Sequence, residues 1–173
     1  YELGRSVSII SVGLAATALM GIIRREGGGW ALAGATAALF LGTYENGGAF
    51  FDLVRNDGLQ IGLLAWALLA IRTGWVRFAG LLLTAAFLTK HTAALYGLTG
   101  LWWLWHHKGP TLARRFAAYS VLPALACTLG LTIQSDGLFL TYILDVPSSH
   151  PFVAKRFFWT APKELFLAMP WTL

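Results

Sequence analysis

Six apolar runs, each closed by a small knot of charge, constrain this chain more than anything else in it. They lie at roughly 7–23, 30–44, 58–71, 75–89, 92–105 and 116–133. A water-soluble fold must cover its core with charge, and about a quarter of its residues are normally charged. Here 12% are charged and 57% are apolar, with a mean hydropathy of +0.62. The pattern predicts an all-α fold, a polytopic transmembrane helical bundle of about six membrane helices. Most runs fall short of the ~20 residues of a full span, as helices buried in a larger bundle or broken around a cavity can do. The eight tryptophans suit the membrane–water boundary, which favours indole rings.

The net charge of +5 does not point to nucleic acid. Recognition of a polyanion needs a contiguous basic face. The cations instead sit at the ends of apolar runs: Arg24-Arg25, Arg72 with Arg77, Lys108 and Arg114-Arg115. That distribution orients helices in a bilayer. With the first run ending inside at Arg24-Arg25, alternation puts Glu45 to Asp57 outside, Arg72 and Arg77 inside, Lys90-His91 outside and 106–115 inside. The stretch 75–105 tests this scheme. One long helix would carry the basic 106–115 loop to the wrong side, whereas two short helices meeting at Lys90-His91 keep it inside.

Residues 1–133 are therefore expected as the helical bundle. The stretch 134–163 mixes Asp136, Asp145, His150, Lys155, Arg156 and three prolines with Phe139, Tyr142, Phe152, Phe157, Phe158 and Trp159. It reads as an outer loop with an amphipathic part on the membrane surface. Residues 164–173 read as the start of a further membrane helix, cut short. Tyr1-Glu2-Leu3-Gly4-Arg5 is not a signal-peptide opening, so both ends are expected to be cuts through a longer protein. The lone Cys127 lies in an apolar run and fits a small packing residue.

Four polar features stand out. In Phe51-Asp52-Leu53-Val54-Arg55-Asn56-Asp57-Gly58, three charges precede the third run. Asp57 can cap a helix, where a carboxylate meets free N–H groups, and Arg55 can pair with Asp52. Alternatively Arg55 faces an external cavity and holds an anion, since a guanidinium fork meets two phosphate oxygens at once. In Leu88-Thr89-Lys90-His91-Thr92, an ionisable pair near membrane depth is a functional-site hypothesis, unless Lys90 snorkels to headgroups. His150, between Pro147 and Pro151 in an outer turn, either shapes the turn or contacts substrate. Adjacent His106 and His107 cannot face one another on a helix, so no metal site is expected. No Gly-rich phosphate loop or nucleophile signature is present.

These residues carry a resemblance. The segment from Phe51 to Leu59, then an apolar helix, Arg72, and Ala79-Gly80-Leu81-Leu82-Leu83-Thr84-Ala85-Ala86-Phe87-Leu88-Thr89-Lys90 resemble bacterial GT-C membrane glycosyltransferases. The most similar set is the dolichyl-phosphate-mannose-protein mannosyltransferase-like group of glycosyltransferase family 39. Gly137-Leu138-Phe139-Leu140-Thr141-Tyr142 with His150-Pro151, and Gly4-Arg5-Ser6-Val7-Ser8, resemble theirs too. The resemblance implies a hexosyltransferase of the bacterial inner membrane. Its partners would be a polyprenyl-phosphate-linked sugar donor, a glycan, lipid or protein acceptor, and membrane lipids, with no nucleic acid. By resemblance, Arg55, Asp57 and Lys90 lie near the donor phosphate, with Asp52, His91 and His150 as further candidates for substrate binding. The family's catalytic carboxylate is expected before Tyr1, no cofactor is named beyond the lipid-linked donor, and a divalent metal is left open. The alternatives are a transporter or lipid flippase for a polar or anionic substrate, and a membrane scaffold subunit whose charges only pair with one another.

Overall fold

A computed structural model of the chain describes residues 2–43, 56–149 and 153–168. Among them every regular element is helical. The chain divides into two compact units, Tyr1–Gly130 and Leu131–Leu173.

Six helices follow one another through the first unit: α1 (Glu2–Arg25), α2 (Trp30–Gly42), α3 (Asn56–Thr73), α4 (Val76–Thr89), α5 (Ala93–Lys108) and α6 (Pro110–Gln134), the last running past its boundary. Each coincides with one of the apolar runs, and α1, α3, α5 and α6 extend into polar flanks. The stretch 75–105 is divided as expected, with Lys90, His91 and Thr92 between α4 and α5. Two helices, α1 and α6, are long and apolar enough to cross a membrane; α2 and α4 are apolar but shorter.

Two helix ends, those of α1 and α3, close on the same glycine turn. After α1, Gly27 takes φ +89° and the Gly28 N–H donates to the Ile23 carbonyl at 2.9 Å. After α3, Gly74 takes φ +88° and the Trp75 N–H donates to the Ala70 carbonyl at 2.8 Å. Both close the helix by a left-handed residue that only glycine adopts without strain.

Small residues let backbones approach. α1 and α3 run parallel: Ser8 faces Gly58, Ser11 faces Gly62, and the Trp66 indole N–H donates to the Leu14 carbonyl at 2.9 Å. A Cβ on Gly62 would stand 2.7 Å from the Ser11 carbonyl oxygen, so nothing larger fits that contact. Glycines four apart on α3 against serines on α1 form the small-residue packing that membrane helices favour. α4 and α6 also run parallel. Gly80 lies against Phe116 and Tyr119, and the buried Thr84 hydroxyl donates to the Ser120 carbonyl at 2.8 Å. α3 and α4 are antiparallel, closing a core that includes Ile71, Val76, Leu83, Leu104 and Phe116.

The second unit is described by itself. The expected loop 134–163 carries more helix than a loop: Leu138–Leu140, a π-helical turn at Thr141–Asp145, Val146–Ser148 and a second π-helical turn at Arg156–Thr160. A further helix, Ala161–Ala168, starts three residues ahead of the segment expected from 164. Most described side chains of this unit are exposed, Tyr142, Phe158 and Trp159 among them.

Candidate functional site

The break between α4 and α5 has no glycine or proline to cause it. Thr89-Lys90-His91-Thr92 carries no strong helix breaker, yet Lys90 is extended, at φ −158° and ψ 119°. Stopping α4 there leaves its last carbonyls without intrahelical donors. The first turns of α3 supply them. The Asn56 amide donates to the Thr89 carbonyl at 3.0 Å. The Gln60 amide donates to the Thr92 hydroxyl at 3.0 Å and to the Lys90 carbonyl at 3.4 Å. Gln60 is buried, so its amide bonds are worth far more made than unmade.

Charge completes the clamp. The Lys90 ammonium donates to Asp57 Oδ1 at 2.5 Å, both groups partly exposed, at 37% and 29%. Asp57 sits in the first turn of α3 and Lys90 just past the last turn of α4. Each is thus at the helix end whose dipole favours it. An ammonium has three donors. A side of Lys90 remains open to solvent, so an anion can approach a lysine already held in place.

Asp57 and Lys90, 33 residues apart, are therefore brought together at one end of α3 and α4. His91 is exposed on the same break, its carbonyl accepting from the Ala94 N–H at 3.1 Å. Arg55, Asp52 and His150 lie outside the described residues. Asn56, Gln60 and Thr92 were not anticipated. The one signal for Gln60 was an amide inside an apolar run, three residues after Asp57 and so on its helical face.

A second charged locus lies at the opposite end of α3. Arg72 donates through Nε and a terminal N–H to Glu26 Oε1, tying α3 to the residue after α1. Its guanidinium also lies 4.8 Å from the centre of the Trp103 ring, on which His107 stacks at 5.0 Å. Among the described residues no group of three His, Cys, Asp or Glu side chains could hold a metal ion.

Comparison with family models, curated proteins and solved structures returned no match.

Proposed function

We propose that this chain is part of a multi-pass membrane glycosyltransferase that takes a sugar from a polyprenyl-phosphate donor, with Lys90 facing the donor phosphate. The observation that carries this reading is the Asp57–Lys90 pair, fixed on a helix break by Asn56 and Gln60. Negative charge grows on the departing phosphate in such a transfer, and a preorganised cation is what stabilises it. Lys90 supplies that cation, Asp57 orients it, and Arg55 is a second candidate for the same phosphate. No residue of the chain is assigned as the base that activates the acceptor hydroxyl.

The bilayer setting is supported by how the helices meet solvent. An apolar core helix of a soluble protein is mostly buried. In the most apolar stretches of α1 and α6 only 33% and 11% of residues are. Leu122, Leu125, Leu129 and Ile133 of α6 are all exposed, a surface that suits lipid rather than water. On this reading all six helices belong to the bundle and the Asp57–Lys90 end faces outward at the bacterial inner membrane.

A discontinuous helix beside a charged pair also favours a second reading, a transporter or flippase for an anionic substrate. Lys90→Ala and Arg55→Ala in the intact protein separate the two. The enzyme reading expects each to lower glycan product at least tenfold with unchanged protein in the membrane. Full transfer activity in both variants contradicts the site assignment. Unchanged glycan product with lost substrate movement favours the transporter.

A further inference from the structure

The basic end of the first unit holds a cleft that neither the helix-break site nor the Arg72–Glu26 pair uses. It has a volume of about 340 Å³ and lies between the first turns of α4 and α6, with Trp75, Arg77, Phe78, Leu112 and Arg115 among its lining residues. Two of the seven lining residues are arginines, and both are exposed. Among the described residues no carboxylate lies within ion-pair distance of either; the ion pairs there are Arg72–Glu26 and Lys90–Asp57. Arg77 is not free to wander, because its guanidinium lies 5.7 Å from the centre of the Tyr119 ring of α6. A cation held on an aromatic face keeps its N–H edges for another partner.

The rest of the lining says what that partner is. Trp75 and Phe78 meet edge to face, with ring centres 6.5 Å apart, and are 69% and 43% exposed. An indole standing in the open beside cations marks the level of lipid headgroups, and the phenyl ring beside it adds apolar surface. Leu112 adds an apolar wall on the α6 side. A soluble phosphate would use the arginines alone. A phospholipid uses the arginines for its phosphate and the rings and leucine for its glycerol and upper chains.

We propose that this cleft binds the headgroup phosphate of an anionic phospholipid, with Arg77 and Arg115 as the two cations and Trp75 and Phe78 at the glycerol level. The inference rests on the membrane half of the reading above and is independent of glycosyl transfer. Juxtamembrane cations attract anionic lipid generally. The specific claim is that two particular arginines, fixed around one cleft, hold one lipid.

The test titrates dioleoyl-phosphatidylglycerol into the intact protein in a non-ionic detergent and counts bound lipid by native mass spectrometry. Dioleoyl-phosphatidylcholine and inorganic phosphate are run in parallel. R77Q/R115Q is compared with K108Q/R114Q, which removes equal charge from exposed positions outside the cleft. The expected result is retention of phosphatidylglycerol over phosphatidylcholine, and an affinity about tenfold lower in the cleft variant than in the control. Equal losses in the two variants, or none in R77Q/R115Q, overturn the proposal. So does saturation by inorganic phosphate that leaves no room for lipid. If R77Q/R115Q does not fold, R115Q against R114Q carries the same comparison. Release of the protein from membranes by alkaline wash would sink the membrane reading and this proposal with it. Retention in the membrane with equal lipid binding sinks this proposal alone.

Discussion

The two ends of α3 are built by opposite means. At the Arg72 end, α1 and α3 stop because their own sequences say so: Gly27 and Gly74 take left-handed turns, and any chain with those glycines would tend to stop there. At the Asp57 end, α4 stops because a neighbour holds it stopped. Lys90 is extended with no local breaker, and amides from α3 accept the role that glycine plays elsewhere. Charge differs as well. Among described residues of the first unit, the Asp57 end carries Glu2, Arg5, Asp57 and Lys90, two of each sign. The other end carries Glu26 against Arg24, Arg25, Arg72, Arg77, Lys108, Arg114 and Arg115. A balanced end that depends on tertiary contacts is suited to a site. A surplus of cations on locally determined ends is suited to fixing orientation.

That contrast can be broken most severely at the helix packing on which both ends depend. Gly62→Leu puts a side chain against the Ser11 backbone, which cannot step aside. It should cost about 3 kcal/mol, read as a large fall in unfolding temperature in detergent, with α1 parted from α3 and both ends loosened. An unfolding temperature close to that of the parent would mean the parallel α1–α3 contact is not as described.

Gln60→Ala comes next. It removes the amide that joins the Lys90 carbonyl and the Thr92 hydroxyl, and should cost about 2 kcal/mol. Amide hydrogen exchange should quicken at the start of α5 and stay unchanged after α3 at Gly74. Equal exchange at both places would erase the distinction between a held break and a self-made one.

Arg72→Gln should matter least, about 1 kcal/mol or less. Its pair with Glu26 is 30% and 46% exposed, such pairs are worth little, and the Trp103 contact adds a similar small amount. Glycine still stops both helices without it. A loss as large as that of Gln60→Ala would show that the Arg72 end, too, is held by its ion pair.

How much of this could be read from the sequence follows the same division. The ends stopped by Gly27 and Gly74 are legible because glycine and basic residues mark them locally. The α4–α5 break was legible only by charge bookkeeping, through the side on which 106–115 had to fall, and it emerged at the expected residues. The partners that enforce it were not legible. Asn56 and Gln60 are ordinary polar residues near a helix start, and nothing local reveals that they reach carbonyls about thirty residues away. Glu26 is no more legible, since its pairing with Arg72 depends on α1 and α3 running parallel. Arg55, Asp52 and His150 lie outside the described residues, so the site rests on Asp57, Lys90 and the amides around them.

In the membrane setting proposed above, α5 separates two faces, with the helix break on one and the cationic end on the other. A 16-residue helix is about 24 Å long, so its ends cannot share one headgroup layer if it stands across the bilayer. Single cysteines tell the two faces apart. In a Cys127→Ser background, H91C, just ahead of α5, and K108C, its last residue, are placed in turn at exposed positions. Intact cells are then treated with a membrane-impermeant maleimide that reaches the outer face of the inner membrane. H91C is expected to be labelled in intact cells, and K108C only after the membrane is opened. Labelling of both from the same side, or of K108C alone in intact cells, would contradict it.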